Sequence, residues 1–264
     1  MNKTISIIIP TLNEAVNIKS LLLHLLHNST TKNIAEIIIV DCGSDDGTQE
    51  IVKTFVTSSD FEQREELYRE VNDMVFDTKI SAENFTRTDV ILYISERGRA
   101  KQMNLGAQKS VGNILYFLHA DSFPPENYDR LILTEVKKGN LAGCFRMKFD
   151  CNHWWLQLAG WLTQFKWRAC RGGDQSQFIT KELFNELGNF NEQFTIYEDN
   201  DLINKLYAKK QFTVIQEWIT TSARRYQTNG VWKLQYHFWT IYVKKWFGAS
   251  ANELHSYYLK HIKE

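Results

Sequence analysis

The sequence predicts an α/β fold of the Rossmann-like kind, with a mostly parallel central sheet flanked by helices. Two observations predict it. Short, continuously apolar runs rich in β-branched residues recur along the first half of the chain, which is typical of strands buried on both faces. Segments with apolar residues at helical spacing separate these runs, and such a strand–helix–strand unit places its two strands in parallel.

The predicted elements follow in order. Predicted strands cover 6–10, 36–40, 90–94 and 113–119. The first helix follows Asn13-Glu14, and two more helices are predicted over 49–55 and 99–110. Because ligands bind at the carboxyl ends of strands in such sheets, polar residues that follow each strand are the first candidates for a site. The acid-rich segment 57–88 is interpreted as a solvated surface excursion, with partner binding as the alternative.

Composition sets the broad class of protein. The chain has 264 residues, and 31 Lys plus Arg balance 31 Asp plus Glu, so charge predicts no nucleic-acid partner. Four cysteines without a C-x-x-C pair and the lack of an apolar leader predict a cytoplasmic protein with reduced thiols. We expect a single domain, with a nucleotide-binding half (1–125), an acceptor and catalytic half (126–230) and a C-terminal helical extension (231–264).

The helices predicted near the C-terminus are rich in aromatic residues. Trp232, Tyr236, Trp239, Tyr242, Val243 and Trp246 recur at mostly helical spacing, and Lys233, Lys244 and Lys245 lie among them. A basic, aromatic, amphipathic helix is what peripheral contact with a membrane requires. Core packing is the alternative interpretation.

Two acidic constellations follow predicted strands. Asp41, Ser44 and Asp46 lie in the segment 41–48, where a carboxylate could accept hydrogen bonds from a base or a ribose and two glycines allow a tight turn. A plain turn with a helix cap is the alternative. Asp121 follows the strand 113–119, and a carboxylate beside a diphosphate suits Mg²⁺ or Mn²⁺. A capping aspartate is the alternative there.

Three further groups complete the candidate site. Arg99 and Gln102 share one face of the predicted helix 99–110, just after Arg97, so a guanidinium and an amide could converge on a nucleotide. An exposed basic helix start is the alternative. Glu198 and Asp199 open another helix; acidic residues cap helix starts, but one of the two could be a general base. Two adjacent arginines, Arg224 and Arg225, could clamp a diphosphate or be a surface pair.

In this order and spacing the segments resemble family-2 glycosyltransferases of the GT-A fold, from Ser6 to about Tyr226. The motifs are P-x-x-N-E (10–14), V-D-x-G-S-x-D-G-T (40–48), a shortened D-x-D at 119–121, G-G-D (172–174) and E-D (198–199). More narrowly, G-R-A-x-Q-M-N-x-G, L-H-A-D, G-D-Q and S-A-R-R resemble the transferase-2 branch associated with radical-SAM and selenoprotein-domain genes.

The resemblance implies an enzyme that inverts the anomeric centre by direct displacement. Asp41 would contact the nucleobase, Asp121 the ribose or a divalent cation, and Asp199 would be the catalytic base, with Glu198 beside it. The other residues expected around the nucleotide sugar are Pro10, Thr11, Asn13, Glu14, Ser44, Asp46, Arg97, Arg99, Gln102, Gly173, Asp174, Arg224 and Arg225. The acceptor could be a lipid, a protein or a small molecule.

Departures from the family pattern keep two alternatives open. His119 stands where the first Asp of D-x-D is usual, which is compatible with a non-catalytic sensor of nucleotide sugars. A sugar-phosphate nucleotidyltransferase is the other alternative, although the glycine-rich loop of those enzymes is replaced by Pro10 to Glu14. The Q-x-x-R-W signature of processive members is absent, so a single transfer is expected.

Overall fold

A computed structural model of the chain describes residues 4–30, 32–57 and 88–262. The acid-rich segment 57–88 is predicted to be a solvated surface excursion. Apart from its two end residues, it lies outside the described residues. The strands are β1 (Ile5–Thr11), β2 (Ile34–Asp41), β3 (Asp89–Ile94), β4 (Ile114–Phe117), β5 (Ser122–Phe123), β6 (Ala142–Phe149), β7 (Gln177–Thr180) and β8 (Thr213–Thr221).

The described helices alternate with the strands in the first half and cluster at the end of the chain. They are α1 (Ala15–His27), α2 (Thr48–Thr57), α3 (Arg99–Lys109), α4 (Tyr128–Lys137), α5 (Trp154–Leu162), α6 (Lys181–Glu186), α7 (Glu198–Ala208), α8 (Arg224–Asn229), α9 (Val231–Trp246) and α10 (Ala251–His261). Short 3₁₀ turns cover Arg168–Cys170 and Gly173–Gln175. The strands and helices predicted for the first half agree with these bounds to within a few residues.

One eight-stranded sheet has the order β3-β2-β1-β4-β7-β6-β8-β5. The four strands predicted from the apolar runs, β3, β2, β1 and β4, are parallel neighbours. Beyond β4 the sheet is mixed, because β7 runs antiparallel to both β4 and β6, and β5 runs antiparallel to β8. The expected α/β class is therefore confirmed, with more antiparallel pairing than the sequence indicated.

Successive strand residues point to opposite faces of the sheet, so each central strand contributes to two cores. Ile7 and Ile9 of β1 pack with α1, α2 and α4. Ile8 packs on the other face with α3, α6 and α7. A Cβ on Gly106 of α3 would lie 2.5 Å from Ile8 Cγ2, so a glycine is needed for this helix to approach β1.

The C-terminal helices form a third, smaller core. Leu234 and Ile241 of α9 pack with Leu254 and Tyr258 of α10 and with Phe194. Ser250 and Glu253 form a capping box at the start of α10, which stabilises that helix end. Among the described residues, none of the helices has the length and apolarity needed to cross a bilayer. The division of the chain at residues 125 and 230 stays a prediction.

Candidate functional site

The carboxyl ends of β1, β2 and β4 meet at one edge of the sheet. Thr11 ends β1, Asp41 ends β2, and the turn with His119 and Asp121 follows β4. Parallel pairing aligns Thr11 with Asp41. The order of the buried strands therefore places the first two predicted acidic constellations on the same edge.

Asp41 is buried and surrounded by hydrogen-bond donors. Its Oδ1 accepts from the backbone N–H of Gly43 (3.0 Å) and Ser44 (2.9 Å) and from Gln49 Nε2 (2.6 Å). Its Oδ2 accepts from the hydroxyls of Ser44 and Thr11. Burial would raise the pKa of Asp41, but the bonds from Ser44, Gln49 and Gly43 outweigh it and lower the pKa. The carboxylate thus organises its own loop, and all of its lone-pair directions are used in this arrangement.

The loops after β1 and β2 are bonded to each other. The backbone N–H of Asn13 donates to Ser44 Oγ (2.9 Å), and Asn13 Oδ1 accepts from the N–H of Asp45 (3.0 Å). Asp46 Oδ2 accepts from the N–H of Ala15 at the start of α1 (2.9 Å). Asn13 has φ of 57°, a left-handed conformation that asparagine tolerates better than most residues. Pro10 lies half-buried just before this loop.

The other two residues of the predicted α3 group, Gln102 and Arg97, differ in their surroundings. Gln102 Nε2 donates to two backbone carbonyls, those of Thr11 (2.9 Å) and Val40 (2.7 Å), and Gln102 is buried. The structure thus uses Gln102 to join the ends of β1 and β2 and turns it away from open solvent. Arg97 is exposed in the loop before α3.

Arg99 faces the acidic start of α7. Its Nε lies 2.8 Å from Glu198 Oε1, and its Nη1 lies 3.7 Å from Asp199 Oδ2. A cation at a helix start opposes the helix dipole, and the buried Glu198 is the reason it is stable here. This pairing brings together two groups that lie 99 positions apart in the sequence.

Asp199 has the perturbed carboxyl expected of a general base. Burial raises its pKa to about 6, the negative charge of Glu198 adds to the rise, and Arg99 opposes it. Burial likewise raises the pKa of Glu198 against the charge of Arg99. At pH 7 Asp199 is therefore mostly ionised, yet basic enough to take a proton.

Gly173 and Asp174 lie directly over these groups. A Cβ on Gly173 would lie 2.1 Å from Asp199 Oδ2 and 3.3 Å from His119 Cε1, so only glycine fits against the carboxylate. Arg99 Nη1 lies 3.3 Å from His119 Nε2, and Asp174 Oδ1 lies 3.6 Å from His119 Nδ1. Burial and the charge of Arg99 lower the pKa of His119, so its ring is neutral, accepts from Arg99 through Nε2 and turns N–H toward Asp174.

Asp121 lies in the same cluster, near Asp174 and Arg224. Arg224 Nη2 lies 3.6 Å from Asp121 Oδ2 and also pairs with Glu14. Burial raises the pKa of Asp121 to about 6, the charge of Asp174 adds to the rise, and Arg224 lowers it. A bound cation would offset the charge of Asp174 that raises the proton affinity of Asp121.

The two adjacent arginines separate. Arg224 turns toward Asp121, whereas Arg225 donates to the hydroxyl of Tyr258 and lies over the rings of Tyr258 and Phe238. Arg225 thus joins α8 to the C-terminal helices, and one guanidinium of the pair is directed at the acidic cluster.

The sequence did not single out Gln49 or Arg171. Gln49 is a fifth donor to Asp41, and its only signal was its place in the first turn of α2. Arg171 is buried and donates to the carbonyls of Thr163 and Phe165 and to Gln175 Oε1 (2.8 Å). It fixes the loop that carries Gly173, and a basic residue directly before G-G-D was the available signal.

A divalent cation fits the site only with help from a ligand. Among the described residues, no three His, Cys, Asp or Glu side chains are grouped closely enough to hold a metal alone. Asp121 and Asp174 offer carboxylate oxygens, with neutral His119 nearby. This donor set suits an ion that binds through one or two carboxylates and completes its shell with phosphates and water.

Comparisons with known proteins identify the family of the chain. The model of glycosyl transferase family 2 matches residues 6–191. Glycosyltransferase AglE of Haloferax volcanii is 28% identical over 124 residues, which are 47% of this chain and 32% of AglE. The chain thus spans about a third of that relative.

Solved structures show the same fold. Mannosyltransferase PcManGT from Pyrobaculum calidifontis, in complex with GDP-Man and Mn²⁺, has a TM-score of 0.63 at 16% identity, covering 98% of this chain and 70% of that one. S. aureus TarS 1-349 in complex with UDP has a TM-score of 0.61 at 17% identity, covering 83% and 60%. The narrower likeness to the radical-SAM-associated branch stays a prediction. The chain belongs to glycosyl transferase family 2 and has the GT-A fold of a glycosyltransferase.

Proposed function

We propose that the chain transfers a sugar from a nucleoside-diphosphate sugar to a hydroxyl group, with inversion at the anomeric carbon and Asp199 as the catalytic base. The observation that carries the proposal is the Asp199 carboxyl, whose pKa is raised to about 6 by burial. Asp199 lies against Gly173, in the cluster that also holds Asp121 and Arg224. General bases work best when their pKa lies near the operating pH.

The residues divide into two roles. Asp199 removes the acceptor's proton as the hydroxyl oxygen attacks C1, while Arg99 and Glu198 hold its carboxylate in place. Arg224, and Asp121 through a bound cation, would stabilise the departing diphosphate. Stabilisation of charge that develops in the transition state is usually the largest catalytic contribution. The loops at 11–15 and 41–48 supply a firm wall for the nucleoside.

A divalent cation, Mn²⁺ or Mg²⁺, would be held through Asp121, with Asp174 close to it. When bound, the ion supplies charge neutralisation for the leaving nucleoside diphosphate. The Mn²⁺ present with GDP-Man in PcManGT and the UDP present in TarS support a donor of this class.

The test is a thermal-shift screen with UDP, GDP and dTDP sugars, each with and without Mn²⁺. A ligand at about 100 times its dissociation constant adds about 2.7 kcal/mol to the free energy of unfolding. We expect one nucleotide class to stabilise the protein more strongly with Mn²⁺, and Asp121→Asn to remove the Mn²⁺-dependent part.

Asp45→Asn is the matched control, because Asp45 is exposed in the β2 loop. Failure of every nucleotide sugar to shift the melting temperature would overturn the proposal. A shift without slow Mn²⁺-dependent hydrolysis of the donor would favour the non-catalytic sensor.

A further inference from the structure

The outer faces of α5 and α9 are strongly apolar. On α9, Trp232, Tyr236, Trp239, Val243 and Trp246 are 50 to 84% exposed. Their spacing of three or four residues places them on one face of the helix. That face is roughly 24 Å long, since each helical residue rises 1.5 Å. On α5, Trp154, Leu158 and Trp161 are 40 to 60% exposed at the same spacing.

These two faces join into one surface, here called the aromatic surface. The ring centroids of Trp154 and Trp232 lie 5.7 Å apart, and those of Trp155 lie 5.2 Å from Trp232 and 6.0 Å from Trp239. Phe247, 80% exposed, extends the surface beyond the end of α9. Contiguous exposed apolar patches of this kind mark interaction sites.

The segments that carry the aromatic surface are basic in sequence. Neither Asp nor Glu occurs in residues 151–173 or 218–252, whereas these stretches hold three and five Lys or Arg residues. Arg171 is buried and Arg224 pairs with acidic residues, so the lysines carry the exposed positive charge beside the surface. Lys166, Lys233 and Lys244 are exposed. Such a surface is complementary to anionic lipid.

The aromatic surface borders the catalytic base. Asn200, the residue after Asp199, donates through Nδ2 to the hydroxyl of Tyr242 on α9 (3.4 Å). The side chain of Arg168, which follows exposed Trp167, donates to Asn200 Oδ1 (3.0 Å). Both edges of the surface therefore contact the start of α7. A molecule held at this edge of the surface would lie near the start of α7, the helix that carries Asp199.

We propose that the aromatic surface docks on the headgroup region of an anionic bilayer, and that the acceptor is an amphipathic, lipid-anchored hydroxyl compound presented there. The second clause rests on the proposed function; the first does not. Trp and Tyr together with Lys are the residues that settle at a membrane–water boundary.

The composition argues against the other occupants. Lysine is depleted in protein–protein interfaces. A symmetric pair of copies would bring the same patch of each together, and here that would place positive charge against positive charge.

Docking is tested by co-sedimentation with vesicles of phosphatidylcholine alone or with about a third phosphatidylglycerol. We expect binding to the anionic vesicles, with quenching of Trp fluorescence by brominated lipid. The double variant Trp246→Ser, Phe247→Ser should bind at least about tenfold more weakly, and Lys233→Gln about fivefold more weakly. The control Val16→Ser, Val111→Ser removes equally exposed apolar groups from other faces and should bind normally.

Equal partition of wild type and the Trp246, Phe247 variant would overturn the docking proposal. So would a dimer of the free protein that this variant dissociates, which would assign the surface to a second copy. The acceptor class is tested by transfer to a long-chain polyprenyl alcohol in those vesicles against a soluble short-chain alcohol. Donor hydrolysis without lipid reports separately on the transferase itself, so its loss and the loss of vesicle binding are distinguishable.

Discussion

The two walls of the site differ in how completely their polar groups are satisfied. In the β1 and β2 loops, the Asp41 carboxylate accepts from five donors and its pKa is lowered. In the cluster at the start of α7, the carboxyls of Asp199 and Asp121 have pKa values raised to about 6. The polar groups of the first wall are hydrogen-bonded without a ligand. The carboxylates of the second wall carry negative charge that a ligand, a cation or a proton would neutralise.

This difference indicates a division of labour. A satisfied hydrogen-bond network makes a region rigid, which suits a surface against which a nucleoside is held. Perturbed carboxyls are characteristic of groups that exchange protons or bind cations. Substitutions on the two walls should therefore act on different quantities, stability on the first and turnover on the second.

The largest expected effect is that of Asp199→Asn. Loss of a general base costs about 10²- to 10⁴-fold in rate, whereas donor binding should be unchanged because the proposed mechanism assigns the diphosphate to Arg224 and a cation on Asp121. The measurement is kcat for transfer together with donor affinity. Asp201→Asn is the control, since Asp201 lies on the same helix and pairs with Lys205 at 3.1 Å. Equal kcat in both variants would remove Asp199 from the mechanism.

Gly173→Ala should have the next largest effect. The new methyl would lie 2.1 Å from Asp199 Oδ2, so the carboxylate has to move by about an ångström, and a misplacement of that size can cost about 10²-fold in rate. Gly172→Ala is the control, because nothing lies within 4 Å of the corresponding Cβ. If both variants turn over at the wild-type rate, the contact between this loop and the base has no catalytic role.

The smallest effect on turnover, but the largest on stability, is expected of Asp41→Asn. An amide turned toward several donors leaves some of them unpaired, at a cost of about 2 kcal/mol in the free energy of unfolding. Because folding lowers the pKa of Asp41, the carboxylate's contribution is present above its unfolded value of about 4. It is lost as pH falls through the folded value, so the gap between wild type and variant should narrow in acid.

Urea titrations at pH 7 and in acid measure this gap. Asp45→Asn, at an exposed position of the same loop, should change stability by less than about 0.5 kcal/mol. A gap that widens toward low pH would contradict the assignment of Asp41 as the organising carboxylate.

The parallel half of the fold could be predicted because its central strands, such as β1 and β2, are buried on both faces. Runs such as Ile37 to Val40 have no other simple interpretation. The antiparallel part was not readable. Strand β7 has four residues and no apolar alternation, and it lies between β4 and β6 only through long-range pairing. Local patterns do not encode such pairing.

The site was predicted in part for a similar reason. The strand ends place Asp41 and Asp121 on one edge of the sheet. In the structure, Arg99 lies near Asp199 and Gly173 lies against the Asp199 carboxylate. Gln102 differs, since a buried amide takes the nearest carbonyls, which here belong to the strands. Which partner a polar side chain chooses depends on groups distant in sequence.

The hydrogen bond between Tyr116 and Ser176 lies where the alignment of β7 with β4 sets the geometry of the candidate site. The buried hydroxyl of Tyr116 donates to Ser176 Oγ (3.0 Å), directly before β7 pairs Phe117 with Gln177. A slip of one residue in this short ladder would shift the preceding loop by about 3.3 Å and exchange the faces of the β7 side chains. Gly173 lies three residues from Ser176, so such a slip would carry it off Asp199. The alignment of the four-residue strand β7 therefore determines whether Gly173 lies against Asp199.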